Sequence, residues 1–291
     1  MKPLRLEQDV AQQLRHVQAE VGDDLTRFPD FLILGPQRTG SSWLFRHLAA
    51  HPEVFFPREK ETYYFSTLGQ PDKDKYKYPK LSDYLQDAMV DAPLYRLRKL
   101  IRSGFQYAPK VLGDATASYA ILAKDVIREI CLLNPDIKAL IMLRDPIERV
   151  RSHTKKSLTA HTGRSTNEVE FEEYDKFLRA SGQLQKASYR QMIENWSTYL
   201  SDGYLMITEF RSVVEAPQQL LEEVLKFLGV EHEKFPQTRE LEEKVYSTGK
   251  GRLPDRVEER IQELYKPAVE DLAALLEELK PHAINDGVYL Q

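Results

Sequence analysis

Four apolar residues in a row, Phe31-Leu32-Ile33-Leu34, run into Gly35-Pro36, and a polar stretch, Gln37-Arg38-Thr39-Gly40-Ser41-Ser42, separates them from Trp43, Leu44 and Leu48. The apolar run predicts a strand buried on both faces; the residues beyond predict a helix carrying Trp43, Leu44 and Leu48, with Ser41 and Ser42 placed to cap it. His51 to Pro57 reads as a helix exit and a short strand bounded by prolines. Val111-Leu112-Gly113-Asp114 ends another strand, Lys124 to Leu133 forms a helix stopped by Asn134-Pro135, and Lys138 to Leu143 is apolar enough to be central in a sheet. Pro146 can start the next helix. Tyr189, Met192, Trp196 and Leu200 mark a helical stripe over 188–200, and a strand follows over Tyr204 to Thr208. Pro217 to Leu228 is an amphipathic helix closed by Gly229, and Pro254 to Leu279 is helical with a break at Pro267.

Strands alternating with helices predict an α/β fold, a P-loop-like, doubly wound parallel sheet flanked by helices. Residues 28–291 form one domain in this reading, preceded over 1–27 by a helical arm built on the partial stripe Leu4, Leu6, Val10, Leu14 and Val17. Residues 69–80, rich in Lys, Asp, Gly and Pro, form a solvated surface excursion, with further helix over 81–103.

Bulk properties narrow the function classes. A chain of 291 residues with 42% hydrophobic content can bury one sizeable core. The net charge of −4 and the pI near 6.0 argue against a general nucleic-acid binder, so any basic site is local. Cys131 is the lone cysteine, which rules out an intrachain disulfide and suggests core packing. Apolar runs are far shorter than the roughly 20 residues of a membrane span. The start, Met1 to Glu7, lacks the apolar stretch of a signal peptide. A cytoplasmic protein without integral membrane contact is the resulting expectation.

The loop between the first strand and helix is a phosphate cradle, because free N–H groups at a helix start attract an anion. Gly35 and Gly40 are spaced as in a Walker loop, yet Ser41 stands where a nucleotide triphosphatase needs its lysine, and the only cation in the loop is Arg38. A second set of groups, Arg144-Asp145-Pro146 and Ser152, lies beyond the carboxyl end of another predicted strand, where open parallel sheets bind ligands. Arg144 there could serve a second anion or pair with Asp145 or Glu148. Together the two sets suit a nucleotide with two separated phosphate positions. No metal-ligand cluster is evident.

The order of motifs resembles the sulfotransferase family that uses 3′-phosphoadenosine 5′-phosphosulfate (PAPS). Pro36 to Leu44 is similar to that family's 5′-phosphosulfate loop, P-K-x-G-T-T-x-L or P-R-S-G-T-T-x-L, with Arg38 in the basic position. His51-Pro52 through Lys60-Glu61-Thr62-Tyr63-Tyr64-Phe65 resembles the H-P…K-E-x-x-[FY]-F block of heparan and related sulfotransferases, which implies Glu61 as general base. Arg144 to Ser152 looks like R-[ND]-P-x-[ED]-R-x-x-S, whose arginine and serine bind the 3′-phosphate, and Gly249-Lys250-Gly251-Arg252 is similar to a late G-K-G-R loop that closes over the nucleotide. The chain departs from the pattern at Arg38, which stabilises charge but is a poor acid, and at Leu253-Pro254, where heparan enzymes often read T-H-P.

The resemblance implies transfer of a sulfuryl group from PAPS to a hydroxyl of a glycan, a lipid or a small molecule such as a polyketide, releasing adenosine 3′,5′-bisphosphate without need of a metal. The implied catalytic residues are Glu61 and Arg38, with His153 beside Ser152 as an auxiliary base or substrate contact. The implied cofactor-binding residues are Arg38, Thr39, Gly40, Ser41, Ser42, Trp43, Arg144, Ser152, Lys250, Gly251 and Arg252. Trp43 serves equally as core packing or as a wall against adenine, Lys155-Lys156 can steer an anion, and Asp114, Thr116 and Ser118 can line an acceptor pocket. Two other classes stay open: a nucleotide or small-molecule kinase, which needs magnesium and a Walker lysine, and a non-catalytic nucleotide-binding module.

Overall fold

The computed structural model describes residues 2–90, 97, 100, 101, 105–234 and 251–291. Among them, β1 (Phe31–Gly35), β2 (Val54–Phe55), β3 (Val111–Ala115), β4 (Lys138–Leu143) and β5 (Leu205–Glu209) run parallel. A C-terminal hairpin of β6 (Ala283–Asn285) and β7 (Val288–Leu290) adds to them antiparallel, giving a seven-stranded sheet of order β2-β3-β1-β4-β5-β7-β6. Sequence pattern did not mark this hairpin, because three-residue strands are too short to show alternation.

The continuous apolar runs follow from burial on both faces. Leu32 and Leu34 of β1, Ala139 and Ile141 of β4 and Ile207 of β5 pack with Ile127 and Ile130 of the Lys124–Leu133 helix and with Trp196 of the Tyr189–Ser197 helix. The intervening Ile33, Leu140, Met142 and Met206 meet Leu44 and Leu48 of the Ser41–Leu48 helix and Leu221 and Val224 of the Pro217–Leu228 helix. A third cluster joins Val150 of the Pro146–Lys155 helix to Tyr174, Val257, Ile261 and Tyr265. The Asp255–Leu279 helix runs unbroken through Pro267, with Ile261 and Tyr265 buried before it and Leu272 and Leu275 after it. Packing on both sides holds the helix across the proline, where local propensity alone predicted a break.

In place of a longer N-terminal helix, residues 2–27 contain one helical turn, Gln8–Ala11, and irregular chain whose Leu6, Val17 and Leu25 enter the main core. Glu129, fully buried, fixes this segment by accepting hydrogen bonds from the backbone N–H groups of Arg15, His16 and Val17 at 2.7–3.2 Å. Of the helix expected over 81–103, the described residues show Leu81–Asp83, a π-turn over Tyr84–Ala88 and helical positions at 97, 100 and 101, and the rest of that expectation lies outside the described residues. The chain leaves β1 toward β2 and leaves β4 toward β5, in opposite directions, so a crevice opens beyond the carboxyl ends of β1 and β4.

Candidate active site

The loop after β1 is fixed by backbone conformations that its residue types permit. Gly35 has φ +88°, and a Cβ there would lie 2.7 Å from the Ala117 Cα, so only glycine fits. Thr39 Oγ1 donates to the Pro36 carbonyl at 2.8 Å and closes the loop. Gly40, at φ +101°, is the N-cap of the following helix; Ser41 and Ser42 are its first two residues rather than its caps, and no side chain caps the helix. Its leading N–H groups are thereby left for an anion. Trp43, expected at the nucleotide, keeps its side chain in the core at 5% exposure, and its backbone N–H donates to the Gly40 carbonyl at 2.8 Å.

Arg38 links this loop to the helix after β4. Its Nε donates to Ser152 Oγ at 2.7 Å, and Arg144 Nη1 donates to the Arg38 carbonyl at 3.0 Å. The Arg144 guanidinium lies 4.3 Å from the Phe210 ring centroid, at the end of β5, and only 3.7 Å from Glu148. Tyr189 grips the Arg144 backbone, accepting from its N–H at 3.2 Å and donating to its carbonyl at 2.8 Å. The carboxyl ends of β1, β4 and β5 thus converge on two arginines and a serine.

Lys60 and Glu61 enter from the segment after β2. Lys60 Nζ donates to Ser42 Oγ at 3.2 Å and to Ser41 Oγ at 3.5 Å, and lies over the Phe45 ring. Burial pulls its pKa down to about 8, against the opposing pull of the Glu61 carboxylate. Glu61 is half-buried and within electrostatic reach of Tyr63, Lys60, Lys156 and Lys186. Burial, reinforced by that carboxylate, pushes the Tyr63 phenol up. Lys186 is drawn down to about 8 by burial and by Arg149, and Lys156 is drawn down by burial and by Arg38.

Thr62, next to Glu61, is anchored from behind. Its Oγ1 donates to Asp114 at 2.6 Å, and the same carboxylate accepts from Tyr84 at 2.8 Å, Thr116 at 3.0 Å and Tyr119 at 3.0 Å. Asp114 and Thr116 are buried at 1% and 0% exposure. The strand-end expectation that they line an acceptor pocket therefore gives way to a structural role, since both are enclosed by the aromatic cluster of Tyr64, Phe65, Tyr84 and Tyr119. Ser118 is half-buried and donates to Ser66 at 2.9 Å.

His153 shares a hydrogen bond with the Gln183 amide at 3.0–3.1 Å and meets the Phe177 ring edge-on. Burial first, then Lys186 and Arg149, holds its pKa down to about 3. Gly251 has φ +114° and lies near Thr166, while Arg252 is exposed and pairs with Asp255 at 3.0 Å. Lys250 lies outside the described residues. Among the described residues, no group of three or more His, Cys, Asp or Glu side chains could hold a metal ion, and no helix is long and apolar enough to cross a membrane. Cys131 is partly buried, packs against the main core, and its thiol is pushed up to about 12 by burial. Sequence reasoning missed the site roles of Lys186, Tyr189 and Phe210: Tyr189 read only as part of a helical stripe, and all three reach the site through tertiary packing.

The fold is that of a P-loop-like α/β protein with a mostly parallel sheet, and the site lies at the crevice beside β1. A family model described as the sulfotransferase family matches residues 29–234, and the chain belongs to that family. Mouse carbohydrate sulfotransferase 15 is 27% identical over 168 residues, 48% of this chain and 29% of the relative. The human bifunctional heparan sulfate N-deacetylase/N-sulfotransferase 3 is 23% identical over 216 residues, 70% of this chain and 22% of the relative. The chain thus spans less than a third of either relative's length. A crystal structure of a sulfotransferase from Alicyclobacillus acidocaldarius shares the fold, with a TM-score of 0.58 at 20% identity over 86% of this chain and 96% of that one.

Proposed function

We propose that the protein transfers a sulfuryl group from PAPS to a hydroxyl-bearing acceptor, a glycan, a lipid or a small molecule, with Glu61 as general base. The single observation that carries the reading is the interlock of Arg38, Ser152 and Arg144 across the crevice, with Glu61 set beside it in a ring of lysines. These residues fit the nucleotide. The uncapped helix start and Arg38 suit the 5′-phosphosulfate, and Arg144 with Ser152 suits the 3′-phosphate. When bound, PAPS supplies a sulfuryl group on a stable phosphate leaving group.

The chain's own residues do the rest. Glu61 accepts the proton of the attacking hydroxyl, a contribution typically worth ~100- to 10,000-fold. Tyr63 stands beside the Glu61 carboxylate, and Lys156 and Lys186 lie within electrostatic reach of it. Arg38 holds positive charge where negative charge grows on the leaving side. His153, neutral throughout the physiological range and tied to Gln183, positions the helix face beside Ser152 rather than moving protons. The experiment is calorimetric titration with adenosine 3′,5′-bisphosphate together with mass-spectrometric detection of sulfated product from PAPS and a hydroxyl library. Binding with transfer supports the reading; binding without transfer points to a non-catalytic module, and magnesium-dependent ATP consumption points to a kinase.

A further inference from the structure

We propose that Lys60 is a catalytic residue, its ammonium group standing on the phosphate loop where Ser41 leaves the lysine position vacant and holding the 5′-phosphate as it departs. The inference rests on the PAPS reading above. It begins from the loop itself, whose Walker-like glycine spacing lacks its lysine. Lys60 supplies that cation from another segment, reaching the hydroxyls of Ser41 and Ser42, the first two residues of the helix that an anion would face.

The setting of Lys60 is suited to an incoming anion. Among the described residues its Nζ hydrogen-bonds only those two neutral hydroxyls, with the Phe45 ring beneath it, and no carboxylate stands within ion-pair distance. A desolvated cation with neutral partners is costly, and a bound phosphate would offset that cost. The charged groups that face it are Glu61 on its own segment, Lys156 on the helix continued from Pro146–Lys155, and Asp114 on β3. Lys156 repels it, and Asp114 already accepts from four hydroxyls. Lys60 therefore sits with its pKa near 8, poised to gain from an anion and to lose its charge at moderately alkaline pH.

The division of labour balances. The hydroxyl oxygen forms the new bond to sulfur, its proton goes to Glu61, and the electron pair of the breaking sulfur–oxygen bond stays on the 5′-phosphate oxygen. Lys60 keeps its proton and donates a charge-assisted hydrogen bond to that phosphate, stronger as the negative charge there grows. Arg38, already donating through Nε to Ser152, bridges toward the helix after β4, so the two cations grip from different sides. Base and cation occupy consecutive positions and enter the site on one strap of chain.

The test titrates adenosine 3′,5′-bisphosphate into the wild type, Lys60→Gln, Lys60→Arg and Lys186→Gln by calorimetry between pH 6.5 and 9.5, with thermal melts and turnover alongside. Wild-type affinity is expected to fall by about tenfold per pH unit above pH 8, with uptake of one proton on binding. Lys60→Arg keeps the affinity and loses this slope, and Lys186→Gln keeps the slope although Lys186 titrates in the same range. Lys60→Gln weakens binding at pH 7, lowers kcat by about 100-fold, and melts no lower than the wild type, because the loss of its contacts with Ser41, Ser42 and Phe45 is offset by removal of a desolvated cation. Unchanged affinity and pH profile in both Lys60 variants overturns the proposal, as does a lowered Tm in Lys60→Gln with an unchanged slope in Lys60→Arg. A wild type that binds no nucleotide removes the PAPS reading and Lys60's role with it, whereas nucleotide binding indifferent to Lys60 removes the Lys60 role alone.

Discussion

Asp114 and Glu61 are carboxylates joined through Thr62, and their surroundings differ in kind. Around Asp114 are four hydroxyl donors, no solvent and an aromatic wall, so the carboxylate is saturated and out of reach of any ligand. Around Glu61 are lysines and one tyrosine on the open side of the same segment. A carboxylate saturated by short hydroxyl bonds is an anchor; one held by longer-range charge keeps lone pairs for a proton. The pair shows one strap of chain, Lys60 to Tyr63, fixed on its buried side so that its other side can be positioned for chemistry.

The largest break in this comparison is Glu61→Gln, expected to lower kcat by ~100- to 10,000-fold while nucleotide affinity holds or improves and Tm stays put. Steady-state kinetics with calorimetry check it; lost binding would contradict the base assignment. Next is Asp114→Ala, which strands buried hydroxyls and costs about 3 kcal/mol or more, a fall in Tm of roughly 6–12 °C by scanning calorimetry. If it instead spares stability and removes turnover alone, the anchor role fails.

A smaller effect is expected from Arg144→Lys, which gives up the stack on Phe210 and the fork that reaches the Arg38 carbonyl. Nucleotide affinity should weaken by about tenfold, an amount near 1.4 kcal/mol, with Tm nearly constant. A stability effect of a different kind, spread over the acid limb and absent near neutral pH, comes from His153. His153 is lowered to about 3 in the folded protein from an ordinary value of 6.5, so between these values the unfolded chain binds a proton that the folded chain does not. Stability therefore falls as pH drops from about 6.5 toward 3, with a slope of up to one proton, about 1.4 kcal/mol per pH unit. His153→Gln should flatten this limb in urea titrations. Asp114 works oppositely: burial raises its pKa, so the folded chain holds that proton to higher pH, and its contribution falls as pH rises above 3.8. Asp114→Asn removes that opposing slope and sharpens the His153 signal.

Much of the scaffold was legible in local pattern. The Lys124–Leu133 and Pro217–Leu228 helices begin and end where their prolines, glycine and apolar spacing place them, and β1 and β4 coincide with their apolar runs. Pro267 misled, because a helix-breaking residue was outweighed by packing on either side of it. The N-terminal stripe misled likewise: Leu6 and Val17 are buried outside the one helical turn, Leu4 is exposed, and Glu129 holds the segment through the backbone of Arg15, His16 and Val17. Asp114 could not be told from a pocket residue, since its four donors come from positions 62, 84, 116 and 119.

The sequence by itself determined the α/β alternation, the glycine-framed phosphate loop with its missing lysine, and the candidate anion groups Arg38, Arg144 and Ser152, because each depends on residues within a few positions of one another. Tertiary structure alone decided that Arg38 bonds Ser152 across 114 positions, that Lys60 reaches the hydroxyls of Ser41 and Ser42, and that Lys186 and Lys156 bracket Glu61. Desolvation and long-range charge depend on what surrounds a side chain in space, and sheet order sets those surroundings.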